Sequence, residues 1–310
     1  MSKPKLLTVV AAKWAGLTNA ALDNAEVVMH GRDAYQPEDI DYVLSFTPPK
    51  GLIASLPNLR CAFSLGAGVD GFLSDPSYPR DLPLVRFVDR SLSAEMAQTV
   101  LMHVLMHHRR QRFFDEAQAA RQWRQQTLPR LTEATRVGFL GLGAIGAFAA
   151  PLLVELGFQV SSWTAHRKTL PGLKSFARDD ELPAFLGQAD IVVCLLSLTR
   201  KTVGILNASR FAALPQGAFV INVARGAHLI EPDLVAALDS GHLSGAVLDV
   251  FQEEPLPLQS PLWDHPKVTI TPHIAAVSQP EAVLDFVRHG IATVERGEIP
   301  ATVVDLDTAY

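Results

Sequence analysis

The sequence predicts an α/β fold with parallel sheets, divided into two domains. Short apolar runs alternate with helical patterns along most of the chain, which is typical of parallel sheets covered by helices on both faces. The chain has 310 residues and a hydrophobic content of 48%. Because a single hydrophobic core stops growing at about 250–300 residues, we expect two cores.

In the first part of the chain, three apolar runs predict strands. They cover residues 6–11, 42–46 and 61–65, and turn signals such as TPPKG and GAGVDG follow them. Residues 93–112 contain neither Gly nor Pro and predict a long helix that leads into the second domain.

The second part repeats the alternation more clearly. The strands predicted there cover residues 136–140, 159–163, 191–196, 218–222, 245–250 and 268–271. The chain after Pro280 is helical again, and we expect this helix to return to the first domain. One domain then consists of residues 1–98 and 287–310, and the other of residues 99–286.

Composition excludes several classes of protein. A formal net charge of -5 argues against general nucleic-acid binding, and no segment approaches the length of a membrane helix. Cys61 and Cys194 lie in apolar runs and predict buried free thiols, which suits a cytoplasmic protein. His103 and His107 are four residues apart on a helix, but no carboxylate motif accompanies them, so we expect no metal site.

A glycine-rich turn predicts a dinucleotide site. Gly141, Gly143 and Gly146 follow the strand at 136–140 and begin a helix. One glycine permits the tight turn, one admits a pyrophosphate close to the backbone, and one lets the helix pack against the strand. The helix N-terminus adds unpaired N–H groups and partial positive charge. A glycine-rich packing turn is the alternative.

The end of the second strand indicates which dinucleotide binds. Residues 161–177 contain no acid that would hold a ribose 2′-hydroxyl, and His166, Arg167 and Lys168 stand there instead. A guanidinium binds a 2′-phosphate through paired hydrogen bonds. The segment therefore favours NADP(H), with NAD(H) as a usable second cofactor. A merely solvated basic loop is the alternative.

Three later strand ends carry groups suited to the reduction of a keto acid. Arg225, Glu254 and His273 each follow a strand, and the carboxyl ends of parallel strands share one edge of a sheet. Arg can hold a carboxylate and polarise the carbonyl, and His can donate a proton. Glu can orient the imidazole and stabilise its charged form. Taken singly, each residue also has an ordinary structural interpretation.

Taken together, these motifs resemble the D-isomer-specific 2-hydroxyacid dehydrogenases. The matching stretches are SLGAGVDG (64–71), GFLGLGAIG (138–146), NVARG (222–226), LDVFQEEPLP (248–257) and TPHIAA (271–276). The segment WTAHRKTLPGLKSF is similar to the bacterial glyoxylate/hydroxypyruvate reductase branch. The resemblance implies two Rossmann-like domains with parallel sheets around a cleft, a flavodoxin-like substrate domain and a homodimer, to which Trp123 would contribute.

The resemblance also assigns roles to residues. The family's catalytic Arg, Glu and His map onto Arg225, Glu254 and His273. Backbone N–H groups of Ala67, Gly68 and Val69 would hold the carboxylate of a small 2-keto or 2-hydroxy acid, and Asp249 would contact the nicotinamide carboxamide. We also place these residues in the cofactor site: Ala144, Ile145, Trp163, Leu196, Ser197, Val223, Ala224 and Ala275. Asp89 departs from the family, where many members carry Asn.

Several functions remain open at this level. The first hypothesis is an NADPH-preferring glyoxylate and hydroxypyruvate reductase, and another D-2-hydroxyacid dehydrogenase is the alternative enzyme. A formate dehydrogenase fits less well, because that branch has Gln where Glu254 stands. A dinucleotide-sensing corepressor on the same fold is the alternative binding protein, although such proteins usually carry disordered tails.

Overall fold

The structure, a computed structural model, describes residues 3–10, 22–127 and 130–306. These residues form two compact units. The first contains the described residues up to Leu92 together with those from Ser278 onward, and the second runs from Ser93 to Val277.

The first unit is built on a five-stranded parallel sheet. Its strands are β1 (Lys5–Val9), β2 (Glu26–Met29), β3 (Tyr42–Ser45), β4 (Cys61–Ser64) and β5 (Leu84–Arg86). They lie in the order β2-β1-β3-β4-β5. A short helix, α1 (Asp70–Leu73), follows β4, and 3-10 turns lie at Pro37–Asp39 and Ile53–Ser55. Leu7, Val43 and Ala62 form the core of one face with Phe72.

The C-terminal helix completes this unit. Helix α8 (Pro280–Glu295) places the Phe286 ring against those of Phe63 and Phe87, with centroids 5.7 and 5.4 Å apart. Gly290 approaches the Phe63 ring so closely that a Cβ would lie 2.4 Å from it. After the helix, Val303 bridges to Val85 in β5. Both ends of the chain therefore build one core.

The second unit contains a seven-stranded parallel sheet. Its strands are β6 (Arg136–Leu140), β7 (Gln159–Thr164), β8 (Leu173–Ala177), β9 (Ile191–Cys194), β10 (Ala218–Asn222), β11 (Leu243–Leu248) and β12 (Val268–Ile270). They lie in the order β12-β11-β10-β9-β6-β7-β8. This unit also contains the helices α3 (Gln111–Ala119), α4 (Ala144–Glu155), α5 (Arg178–Leu186), α6 (Ala208–Ala212) and α7 (Glu231–Asp239). Its 3-10 turns lie at Thr132–Ala134 and Gly226–His228.

The predicted fold class is confirmed, but several predicted elements need correction. The strands β2, β5 and β8 were not predicted. The strand predicted at 6–11 ends at Val9, and its last predicted residue lies outside the described part of the chain. The strand predicted at 245–250 spans Leu243–Leu248 instead, so that Asp249 follows it.

The helix predicted at 93–112 is also wrong at both ends. Helix α2 spans Arg90–His108. It begins early because the Asp89 carboxylate accepts hydrogen bonds from the Leu92 N–H and the Ser91 hydroxyl, which satisfies donors of the first turn. It ends early because Arg110 adopts a left-handed conformation with φ 61°.

The described residues offer no helix with the length and apolar content of a membrane span. Cys61 and Cys194 are buried, and burial raises the pKa of each thiol to about 12. A thiol with so high a pKa holds its proton and is a poor nucleophile.

Candidate active site

The carboxyl edge of the seven-stranded sheet collects most of the predicted site residues. The loop after β6, here called the glycine loop, carries Gly141, Gly143 and Gly146. The loop after β7 carries His166, Arg167 and Lys168, here called the basic segment. Arg225, Asp249 and His273 follow β10, β11 and β12 in the same way. Because β9 and β7 flank β6 on opposite sides, the strand order reverses beside the glycine loop, which is where open sheets of this kind bind ligands.

The three glycines have different surroundings. Gly141 has φ 98°, and a Cβ there would lie 2.8 Å from the Leu195 carbonyl oxygen. A Cβ at Gly146 would lie 2.7 Å from the Gly141 carbonyl oxygen. Gly143, which precedes helix α4, has φ −72° and no heavy atom within 4 Å of a Cβ position. The close approach of neighbouring backbone therefore requires glycine at positions 141 and 146, whereas the space beside Gly143 is open.

The basic segment is anchored to its surroundings. Arg167 donates from its guanidinium to the Glu181 carboxylate, at 2.7 Å to Oε2, and to the Ser175 carbonyl oxygen. The Lys168 ammonium donates to the Leu142 carbonyl oxygen at 3.0 Å, within the glycine loop. Two of the three basic side chains are thus held in place. Glu181 was not predicted as a site residue.

The structure brings His273 and Glu254 together. The Nδ1 atom of His273 lies 2.7 Å from Oε2 of Glu254, and Oε1 of Glu254 accepts the Phe251 N–H at 2.9 Å. The carboxylate is therefore fixed at both oxygens and orients the ring. With Nδ1–H donating to Glu254, the Nε2 atom is the nitrogen available to a ligand. The His273 side chain is 48% exposed, so a ligand can reach it.

Asp249 shapes the loop that carries His273. It is only 1% exposed, and its Oδ1 accepts the Thr271 hydroxyl at 2.6 Å and the Ile274 N–H at 2.9 Å. Its Oδ2 accepts the Ala275 N–H at 2.9 Å. These bonds hold His273 in a left-handed conformation, with φ 54°, that a non-glycine residue rarely adopts.

Arg225 lies at the end of β10, in a closely packed loop. The Asn222 side-chain amide donates to the Arg225 carbonyl oxygen at 3.1 Å, and the Asp249 N–H donates to the Asn222 carbonyl oxygen at 3.0 Å. A Cβ on the next residue, Gly226, would lie 1.8 Å from the Phe251 carbonyl carbon. The segment with Arg225 therefore packs directly on the segment that leads to Glu254.

The other predicted cofactor residues lie along the same edge. Ala144 and Ile145 begin α4, and Trp163 lies near the end of β7 with its indole N–H donating to the Arg178 carbonyl oxygen at 2.7 Å. Leu196 and Ser197 lie beyond β9, Val223 and Ala224 follow β10, and the Ala275 carbonyl oxygen accepts the Thr99 hydroxyl at 2.7 Å.

In the first unit, the loop after β4 exposes backbone donors. Among the described residues, the N–H groups of Ala67, Gly68 and Val69 meet no acceptor. Arg86, at the end of the neighbouring strand β5, is half-buried, and burial lowers the pKa of its guanidinium. No carboxylate of the described residues pairs with it. Arg86 was not predicted as a site residue, because the strand that ends at it, β5, was not predicted.

Comparisons with known proteins agree along the whole chain. Residues 101–275 match the family model described as D-isomer specific 2-hydroxyacid dehydrogenase, NAD binding domain. A glyoxylate/hydroxypyruvate reductase A from Yersinia enterocolitica is 40% identical over 305 residues, which cover 97% of this chain and 96% of that protein.

Solved structures give the same result. A D-isomer specific 2-hydroxyacid dehydrogenase from Xanthobacter autotrophicus Py2, in complex with NADPH and MES, superposes with a TM-score of 0.93 at 39% identity, with 100% of both chains covered. An NADPH-dependent glyoxylate/hydroxypyruvate reductase from Sinorhizobium meliloti, in complex with NADP and sulfate, has a TM-score of 0.92 at 37% identity, with 99% of this chain and 100% of that chain covered.

Proposed function

Since the chain belongs to the D-isomer specific 2-hydroxyacid dehydrogenase family, we propose that it reduces glyoxylate to glycolate and hydroxypyruvate to D-glycerate, with NADPH as the preferred cofactor. The observation that carries this proposal is the His273–Glu254 pair, at 2.7 Å, on the edge of the sheet that also carries the glycine loop. The reductase A relative and the two NADPH-associated structures support the choice of substrates and cofactor.

The residues around the glycine loop fit a dinucleotide. The open space beside Gly143 leaves room for a pyrophosphate at the N-terminus of α4, where N–H groups and the helix dipole favour an anion. Arg167, with His166 and Lys168, is the proposed contact for the 2′-phosphate. When bound, the nicotinamide supplies the hydride, and Asp249 shapes the neighbouring loop.

The protein's own groups complete the reaction. Arg225 binds the substrate carboxylate and polarises the keto oxygen, and the amides of Ala67, Gly68 and Val69 provide further carboxylate donors. As hydride reaches the keto carbon, the Nε2–H of His273 transfers its proton to the carbonyl oxygen, which becomes the hydroxyl. Glu254 stabilises the charged imidazole before the transfer and keeps the ring oriented during it.

A steady-state assay tests this proposal. The native protein and a His273→Gln variant would be assayed with glyoxylate, hydroxypyruvate and pyruvate, each with NADPH and with NADH. We expect turnover of the first two substrates with NADPH, and a loss on the order of 10²–10⁴ in kcat for the variant, the usual contribution of a positioned acid. Cofactor binding should survive in the variant. Near-native turnover by a folded variant would eliminate His273 as the proton donor.

A homodimer is part of the same proposal. The Trp123 side chain is 94% exposed, and large aromatic side chains are enriched at the centres of protein interfaces. Sedimentation of the native protein and of Trp123→Ser tests this, since the variant should sediment as a monomer at protein concentrations at which the native protein is still a dimer. The cytoplasmic location stays a prediction.

A further inference from the structure

The basic segment proposed to bind the 2′-phosphate has an acidic partner. Glu181, on α5, contacts the Arg167 guanidinium with both carboxylate oxygens, and its Oε2 also accepts the Ala177 N–H at 2.6 Å. The Ala177 N–H and, after it, the Arg167 guanidinium lower the pKa of Glu181, so the carboxylate stays charged. A residue fourteen positions away therefore determines where Arg167 points.

Arg167 keeps donors for an anion in this arrangement. A guanidinium has five N–H donors, and the bonds to Glu181 and Ser175 use only its two terminal nitrogens. Among the described residues, nothing accepts from the Nε–H of Arg167. The side chain is 50% exposed, so the remaining donors face solvent that a phosphate can displace.

We propose that Glu181 is a positioning residue that raises the preference for NADPH over NADH by holding Arg167 ready for the 2′-phosphate. This inference rests on the proposed function, in which Arg167 binds that phosphate. A free arginine loses rotamer freedom when it binds an anion, whereas an arginine that is already held loses less.

The negative charge of Glu181 acts in the opposite direction, because it repels the phosphate. Both partners lie at the surface, with side-chain exposures of 50% and 30%, so water and salt screen this repulsion. The orientation of Arg167 is not screened. We therefore expect the positioning effect to be larger than the repulsion.

The test measures dissociation constants of NADP⁺ and NAD⁺ for the native protein and for Glu181→Gln, by isothermal titration calorimetry at one ionic strength. The glutamine keeps one acceptor oxygen but loses the charged two-oxygen contact. We expect NADP⁺ to bind about two- to tenfold more weakly to the variant, the usual effect of leaving one flexible side chain unfixed. NAD⁺ should bind within about twofold of native, since it has no phosphate at this position.

Asp180→Asn is the matched control. It removes one negative charge from the same helix turn, but the Asp180 carboxylate lies 3.8 Å from Arg178 and does not contact Arg167. Its affinities for NADP⁺ and NAD⁺ should stay native. Thermal melts of both variants check that the helix remains folded.

A double-mutant cycle separates positioning from other effects. In an Arg167→Ala background, Glu181→Gln should bind NADP⁺ as well as its parent or better, because only repulsion is left to remove. Tighter NADP⁺ binding by Glu181→Gln alone would show that Glu181 competes with the phosphate. Equal weakening of NADP⁺ and NAD⁺ would show that it only supports the fold. Either result overturns the inference. A native protein that binds NAD⁺ as tightly as NADP⁺ would instead reject the cofactor assignment.

Discussion

Replacing Gly143 by alanine isolates the role of the glycine loop in cofactor binding. In the protein, a Cβ at this position meets no heavy atom within 4 Å, and φ −72° suits any residue. The added methyl group should therefore cost the fold little. Alanine restricts the unfolded chain more than glycine does, which stabilises the fold, but it is a clearly poorer N-cap residue, which destabilises it. The two effects oppose each other, so the net change in stability should be about 1 kcal/mol or less.

Cofactor affinity should respond much more strongly. If the pyrophosphate lies against the backbone of Gly143, the methyl group occupies its space, and overpacking of this kind costs about 1–3 kcal/mol. This corresponds to roughly 5- to 150-fold weaker binding of either dinucleotide. Both cofactors should be affected alike, because the pyrophosphate is common to them.

Fluorescence titration with NADPH and NADH, together with a thermal melt, measures both quantities. Gly146→Ala is the contrasting variant, because its Cβ would lie 2.7 Å from the Gly141 carbonyl oxygen. It should lose about 1–3 kcal/mol of stability, so that its melting temperature falls. Native dinucleotide affinity in Gly143→Ala would refute the reasoning, since the loop would then not approach the pyrophosphate.

Three further variants test the rest of the site and the core. Arg225→Lys should lower kcat/KM about 10²-fold, because a point charge cannot reproduce a planar two-point contact; equal kinetics would exclude that contact. Gly226→Ala should lose about 3 kcal/mol in chemical denaturation, because its Cβ would lie 1.8 Å from the Phe251 carbonyl carbon. Burial lowers the pKa of His107, stacked on Phe219, to about 4. Protonation therefore costs the folded state more than the unfolded state, and stability falls as pH drops from about 6.5 towards 4, by up to roughly 1.4 kcal/mol per unit. Denaturation of His107→Phe should show a weaker acid dependence, and an unchanged dependence would mean that other groups cause it.

The sequence predicted the interior of each sheet better than its edges. The missed strands β2, β5 and β8 are all edge strands, and each of them is only partly buried because one side has no neighbouring strand. The strands β6 and β10, which are interior, have the predicted bounds. Interior strands are buried on both faces, so their apolar runs are continuous and easy to recognise.

The same distinction applies to the site. Arg225, which lies shortly after the interior strand β10, stands out in the sequence as a charged group after an apolar run. Asp249 was predicted inside its strand, and only the family resemblance gave it a role. Glu181 contacts Arg167 only because strand β8 and helix α5 bring Glu181 back beside the loop after β7. No local sequence pattern predicts such a pair. The left-handed conformation of His273 likewise follows from long-range bonds to Asp249.

The joint use of both chain ends in the first unit has a consequence for synthesis on the ribosome. Phe63 cannot pack against Phe286, its neighbour in the core, until the roughly 220 residues between them have been translated. Contacts of such sequence separation form late. The second unit is complete once Val277 has left the exit tunnel, although the chain is normally expected to fold from its N-terminus onward. A nascent chain stalled shortly after that point should therefore carry a protease-resistant seven-stranded unit behind a leading segment that is still cleaved.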